Sequence, residues 1–251
     1  MEIGRQMIRI IRSFLCVICF AIFGGGALGL GGIVFPIMLL FCRRPSSRRR
    51  ILSQSIHWSW KFFVWLMSAM RLISVKYDDI NSLKHLRGHI VIANHPSLID
   101  VVILISLIPR SVCVVKKSLF HNIFVKRVIQ HIYLSNDMDA TEFITRGTEF
   151  LDAGYNIVIF PEGTRTVAGR RVRLHRGFAY LHLKTGRPIL PIHIENVPPI
   201  LGKKQKWYDI GTKTSVYTLK LKKKIIYTMV DDQTIRDAAI CITNLASNAM
   251  F

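Results

Sequence analysis

Thirty consecutive residues without a charge, Ser13 to Cys42, constrain this chain more than any other feature. One bilayer crossing takes about 20 apolar residues, so the stretch can span a membrane or enter it and return. As one straight helix it would be about 45 Å long. Gly24, Gly25, Gly26, Gly29, Gly31, Gly32 and Pro36 interrupt it, and glycine weakens a helix interior. The expectation is two shorter helices folded back at the glycines, a re-entrant hairpin, with a single span as the alternative. The flanks favour the hairpin. Arg5, Arg9 and Arg12 precede the run, and Arg43, Arg44, Arg48, Arg49 and Arg50 follow it. The positive-inside tendency places both ends on the cytoplasmic face. A signal peptide fits poorly, because the run is too long and no small-x-small cleavage site precedes Arg43.

Charge narrows the partners. Thirty-five Lys and Arg against fifteen Asp and Glu leave a net +20, which points to a polyanion: nucleic acid, an anionic lipid surface or an acidic carrier protein. Arg48–Arg50, Lys203–Lys206 and Lys222–Lys224 carry much of it, yet no helix-turn-helix, RNP or zinc pattern accompanies them. Beside an apolar anchor they fit anionic headgroups better. Five cysteines without regular spacing argue against a disulfide framework. Cys16 and Cys19 lie inside the apolar run without acidic or histidine neighbours, as packing or lipid-facing thiols rather than metal ligands. Cys113 reads as core. No metal ion or cofactor is expected.

From Ile51 to Tyr77 the pattern is helical and rich in aromatics, among them Trp58, Trp60, Phe62, Phe63 and Trp65. Such rings suit a membrane interface or packing on a globular domain. After Gly88, short apolar runs alternate with helix-length segments. Residues 89–93, 111–115, 132–134, 156–160, 188–194 and 215–221 read as strands. Residues 100–108, 139–153, 174–185 and 231–248 read as helices. That alternation implies an α/β fold, a mixed sheet flanked by helices, behind an N-terminal apolar helical membrane anchor. Three parts follow: the anchor with its basic flanks over 1–50, an amphipathic aromatic-rich connection over 51–86, and the α/β domain over 87–251.

Two segments carry candidate chemistry. Asn94-His95-Pro96-Ser97-Leu98-Ile99-Asp100 follows the strand 89–93. Residues five apart diverge by about 140° on a helix, so His95 and Asp100 meet only if His95 lies on the loop and Asp100 in the first helical turns. Asp100 then accepts from Nδ1 and leaves Nε2 as a base. The bland alternative is a loop histidine and a helix-start aspartate. Ser97 reads as a helix-start residue. Phe160-Pro161-Glu162-Gly163-Thr164-Arg165 follows the strand 156–160. Open α/β sheets bind ligands at strand carboxyl ends; there Glu162 offers an acceptor for hydroxyls and Arg165 a fork for phosphate. Alone, a Pro-Glu-Gly turn is common.

Together the two segments resemble the glycerolipid acyltransferase family, whose best-known members are 1-acylglycerol-3-phosphate acyltransferases. The resemblance runs from about Arg87 to Asn196. Val115-Lys116-Lys117-Ser118-Leu119-Phe120 is similar to the family's Lys-rich segment, and Leu190-Pro191-Ile192-His193-Ile194 to its fourth block, whose proline lines the acyl-donor site. The resemblance implies transfer of a fatty acyl group from acyl-carrier protein or acyl-CoA to the hydroxyl of a lysophospholipid, giving phosphatidate from 1-acylglycerol-3-phosphate. It implies His95 as base and Asp100 as its orienting partner. Asn94, Glu162, Gly163, Thr164 and Arg165, with Lys116, Lys117 and Pro191, are the implied substrate contacts. A thioester is already activated, so no acyl-enzyme is needed.

One departure matters. The family's second block ends in an arginine after a glycine and an apolar pair, whereas Gln130-His131-Ile132-Tyr133-Leu134-Ser135-Asn136-Asp137 has neither. Phosphate recognition then falls to Arg165, with Arg170, Arg171, Arg173 and Arg176 downstream. Alternatives are a non-phosphate lipid or polyketide-like acceptor, or a silent lipid-binding protein. The expected partners are an acyl-carrier protein or acyl-CoA, a lysolipid and an anionic membrane surface, with no nucleic acid. The expected location is a bacterial-type inner (cytoplasmic) membrane with the catalytic domain on the cytoplasmic side.

Overall fold

Alternation of apolar side chains decides the layers. In β2 (Ile90–Ala93) and β5 (Asn156–Ile159) every residue is buried, as in strands covered on both faces. Ile90, Ile92, Ile157 and Ile159 enter one core, and Val91, Ala93 and Val158 enter the other, following the two-residue period. The structure, a computed structural model, describes residues 2–42, 44–115, 117, 133–166 and 173–251. Lys116, residues 118–132, Arg170 and Arg171 lie outside the described residues.

The sheet has seven strands in the order β1-β7-β6-β2-β5-β3-β4, the others being β1 (Ile73–Tyr77), β3 (Ser111–Val115), β4 (Leu134–Ser135), β6 (Ile189–Val197) and β7 (Ser215–Leu221). Neighbours are parallel except for β6 and β7, which pair antiparallel. On one face lie α1 (Glu2–Gly29), α2 (Phe35–Phe41), α3 (Pro45–Ala69), α4 (Ile80–Lys84) and α5 (Asp100–Leu107), with Leu52, Phe63 and Met67 of α3 packed over Ile103 and Leu104 of α5. The other face carries α6 (Ala140–Asp152), α7 (Gly177–Thr185) and α8 (Ile235–Met250), which contribute Phe150, Phe178 and Ile242. Asp139 caps α6 by accepting from the Thr141 and Glu142 amides, and Thr234 caps α8 from the Asp237 amide.

Three expectations are corrected. The chain does not fold back at the glycines. Gly24, Gly25 and Gly26 lie inside α1, a five-residue π turn (Leu30–Val34) leads into α2, and the helical run continues to Phe41 before α3 begins at Pro45. A turn within the apolar run would leave amide and carbonyl groups unpaired, which costs more than about 1 kcal/mol per helical glycine. The widened turn precedes Pro36, where a missing N–H and the ring's clash must be absorbed. The hairpin is instead formed by α1–α2 against α3: Phe20 and Phe23 meet Phe63, with ring centroids 5.3 and 4.5 Å apart. Second, Ile73–Tyr77 does not continue the helix. It is strand β1, parallel to β7, so the sheet reaches into the segment assigned to a helical connection. Third, of the expected strand 132–134, Ile132 lies outside the described residues, Tyr133 is not in a strand, and the strand runs Leu134–Ser135.

The aromatic run divides its roles. Phe63 is buried and Trp60 stacks on Tyr133, whereas Trp58, Phe62 and Trp65 are more than half exposed. The helical run Glu2–Met38 is long and apolar enough to cross a membrane, with a mean hydropathy of 2.2 in its most apolar stretch.

Candidate active site

β2 and β5 are parallel neighbours with Ile92 in register with Ile159, so the two motif loops leave the sheet side by side at one end. His95 sits on the loop after β2 and Asp100 opens α5. The loop curls so that His95 Nδ1 lies 2.8 Å from Asp100 Oδ2. Asp100 is fully buried. It also accepts from the Ser97 amide at 2.7 Å and from the Ser97 hydroxyl. Burial pushes its carboxyl up from the ordinary aspartate range, and the hydrogen bonds from His95 and Ser97 oppose that shift. With Nδ1 facing Asp100, Nε2 is left for chemistry. Phe160 stacks on the imidazole, with centroids 4.3 Å apart and planes at 27°, which fixes the ring from a second direction.

Glu162 ties the two loops together. Its Oε1 accepts from the His95 amide at 3.0 Å and the Thr166 hydroxyl at 2.6 Å, and the Thr166 amide donates to the His95 carbonyl at 2.6 Å. Its Oε2 is buried and has no hydrogen-bond partner among the described residues. Burial raises the Glu162 carboxyl, against the pull of Thr166 and the His95 amide. Gly163 takes φ +64°, a left-handed turn that glycine accommodates without strain, and a Cβ there would meet His175 Nε2 at 3.0 Å. Thr164 completes the turn. Beside it opens a cavity of about 800 Å³ lined by Phe143, Ile144, Phe160, Pro161, His175 and Tyr180.

Arg165 reaches out of the motif. Its Nη1 donates to the carbonyls of Leu201 and Gly202, both at 3.0 Å, while Nε and Nη2 make no hydrogen bond among the described residues. Leu201 holds φ +57°, a strained conformation for a side chain of its kind, and its carbonyl also accepts from the Leu98 amide at 3.0 Å.

Other expected contacts stand elsewhere. Asn94 engages both ends of its amide with Ile194 of β6, at 2.6 and 2.7 Å, and is buried. It clamps the loop to the sheet rather than facing a substrate. Pro191 is buried within β6, level with Ile92 and so one residue short of the end of β2. Lys117 is exposed and paired with Asp137 at 2.9 Å. Ser97, Phe160 and Thr166 gained no catalytic weight from the sequence. The Ser-x-x-Asp spacing could have signalled the first, whereas the Leu201–Gly202 contact leaves no local trace.

A family model described as Acyltransferase matches residues 74–195. The chain is 29% identical over 163 residues to a 1-acyl-sn-glycerol-3-phosphate acyltransferase from Cocos nucifera, covering 62% of this chain and 51% of that protein. It is 26% identical over 216 residues to the human 1-acyl-sn-glycerol-3-phosphate acyltransferase beta, covering 80% and 70%. The chain thus spans about half the length of the coconut relative. Its fold matches the crystal structure of the 1-acyl-sn-glycerophosphate (LPA) acyltransferase PlsC from Thermotoga maritima with a TM-score of 0.70, at 18% identity over 95% of both chains. The matched span begins in β1, the strand that the sequence alone read as helix, and takes in both motif loops up to Glu195. The family-model match and the curated relatives support the glycerolipid acyltransferase family for this chain.

Proposed function

We propose that the protein is a membrane-bound O-acyltransferase that moves a fatty acyl group from acyl-carrier protein or acyl-CoA to the free hydroxyl of 1-acylglycerol-3-phosphate, giving phosphatidate and a free thiol. The observation that carries this is the Asp100–His95 pair with Nε2 uncommitted, beside Glu162 and Arg165 on the adjacent strand end. His95 Nε2 takes the hydroxyl proton as the oxygen attacks the thioester carbonyl. The tetrahedral intermediate then expels the thiolate, which takes that proton from the imidazolium. Asp100 holds the imidazole tautomer and stabilises its positive form. Glu162 Oε2 accepts from an acceptor hydroxyl, and the Arg165 nitrogens not held by Leu201 and Gly202 face the phosphate. The cavity beside Gly163 has the size and polarity for the apolar part of a substrate.

In this reading the α1–α2 arm and the exposed rings of α3 attach the site to a lipid surface, and the arginine flanks support the cytoplasmic side. Phe160 faces the imidazolium that forms in the transition state, a cation–π arrangement. Phe160→Leu is expected to lower kcat about tenfold with little change in KM, measured by steady-state kinetics. An unchanged kcat would make the stacking incidental.

A second reading, a neutral lipid acceptor, is favoured by one observation: part of the Arg165 fork is already bound to backbone. Kinetics with a phosphorylated and a neutral lysolipid, at saturating donor, separate the two. Lysine keeps the charge but loses the planar fork. Arg165→Lys should raise KM for the phosphorylated acceptor well beyond its effect on the neutral one. Equal effects would assign Arg165 to holding the loop and make the neutral acceptor the better reading.

A further inference from the structure

The first four turns of α1 have two unlike faces. Ile3, Met7, Ile10 and Phe14 recur at helical spacing and are 83%, 59%, 68% and 63% exposed. Arg5, Arg9, Arg12 and Cys16 recur on the opposite side. That side faces the long loop between β6 and β7: Arg9 pairs with Asp209, Arg12 donates to the carbonyls of Gly211 and Lys213, and Cys16 Sγ donates to the Trp207 carbonyl at 3.6 Å. An amphipathic helix lying in an interface puts its apolar stripe at the acyl boundary and its basic side at headgroup depth.

On the basic side of the helix, with Arg9 in its wall, opens a second cavity of about 620 Å³. Arg9, Lys204, Lys206 and Lys213 line it, and the one carboxylate among its lining residues, Asp209, is paired with Arg9. Pro198, Pro199 and Ile200 form an apolar floor. Trp207 and Tyr208, between the lining residues Lys206 and Asp209 in sequence, are 46% and 39% exposed, and such rings settle at the level of headgroups. Basic cavity, aromatic rim and apolar stripe together fit an anionic amphiphile.

We propose that this cavity binds the phosphate headgroup of an anionic phospholipid that is not itself acylated, and that the bound lipid braces the catalytic loops. The second half rests on the acyltransferase reading. Gln205, in the cavity wall, accepts from the Gly202 amide at 2.9 Å and donates to the Pro199 carbonyl at 3.0 Å. The turn so held presents the Leu201 and Gly202 carbonyls to Arg165 and the Leu201 carbonyl to the Leu98 amide. A headgroup seated against Lys204 and Gln205 therefore fixes both motif loops through a single strained turn at Leu201. Membrane composition becomes an input to the active site.

The test uses the full chain in phosphatidylcholine vesicles with and without 30% phosphatidylglycerol. Phosphatidylglycerol should slow hydrogen exchange of residues 199–213 and raise kcat several-fold. Lys204→Gln/Lys206→Gln/Lys213→Gln should weaken the apparent affinity for phosphatidylglycerol by at least about tenfold and lose both responses, while matching wild type in neutral vesicles. Lys222→Gln/Lys223→Gln/Lys224→Gln removes equal charge just after β7, near the opposite end of the sheet, and should keep both. The proposal is overturned if the cavity variant still responds or if the two triple variants lose the response equally. Equal protection of the loop by soluble glycerol 3-phosphate would also overturn the lipid assignment. Protection without acyl transfer in any vesicle would leave the site standing and remove the acyltransferase reading.

Discussion

His95→Ala is expected to lower kcat by about 10²–10⁴-fold, the usual worth of a general base, while the protein stays folded and membrane-bound. The imidazole is one-fifth exposed, so its removal opens little of either core. Asp100→Asn is expected to be comparably severe for a different reason. The carboxylate accepts from three directions at once, from His95 Nδ1 and from the amide and hydroxyl of Ser97. An amide nitrogen at Oδ2 opposes both the Ser97 amide and His95 Nδ1–H and unsets the imidazole tautomer, while an amide oxygen there leaves the imidazolium without its stabilising charge. The measurement is single-turnover transfer with a radiolabelled acyl thioester, alongside circular dichroism and vesicle sedimentation. Near-normal turnover by folded His95→Ala would sink the base mechanism. Loss of turnover together with loss of fold would be resolved by His95→Gln, which keeps most of the ring's volume but cannot act as a base.

The dyad was legible because it is local. Four residues, 96–99, join His95 to Asp100, and their meeting needs only the loop geometry that the strand-to-helix pattern implies. The core strands were legible for a related reason: β2 and β5 are buried on both faces, so their apolar runs stand out from the amphipathic helices around them. β1 was hidden because Ile73–Tyr77 continues the apolar rhythm of α3 and its partner β7 lies some 140 residues further on. The glycine cluster misled in the opposite direction. Helix propensity per residue argued for a break, while pairing of every backbone group in an apolar run argued against one, and the second effect is larger. Asn94 looked like a substrate contact from its place in the motif, yet its partner, Ile194, is 100 residues away. Arg165 is a like case. Its identity is written in the motif, but the carbonyls that hold one arm of its fork belong to a loop with no sequence signature.

Glu162→Gln is expected to cut kcat/KM for the acceptor by about 10–100-fold, the range for a lost hydrogen bond to a charged group, and at the same time to stabilise the protein. The two effects have one cause. Oε2 is buried without a partner among the described residues, which suits it to a substrate hydroxyl and makes it costly until one arrives. Because burial raises the Glu162 carboxyl, the folded state binds that proton more tightly than the unfolded chain does. Its favourable contribution is therefore complete below the ordinary glutamate range and is lost as pH rises through the raised folded value. Glutamine keeps an oxygen for the His95 amide and removes the charge. The variant should therefore melt about 2–4 °C above wild type at pH 8, with the gap closing as pH falls towards the ordinary glutamate value. Melting curves in detergent between pH 4 and pH 8, beside acceptor kinetics, test both halves. A variant less stable than wild type at every pH, with acceptor kinetics intact, would make Glu162 a structural tie between the two loops and leave the acceptor hydroxyl without its partner.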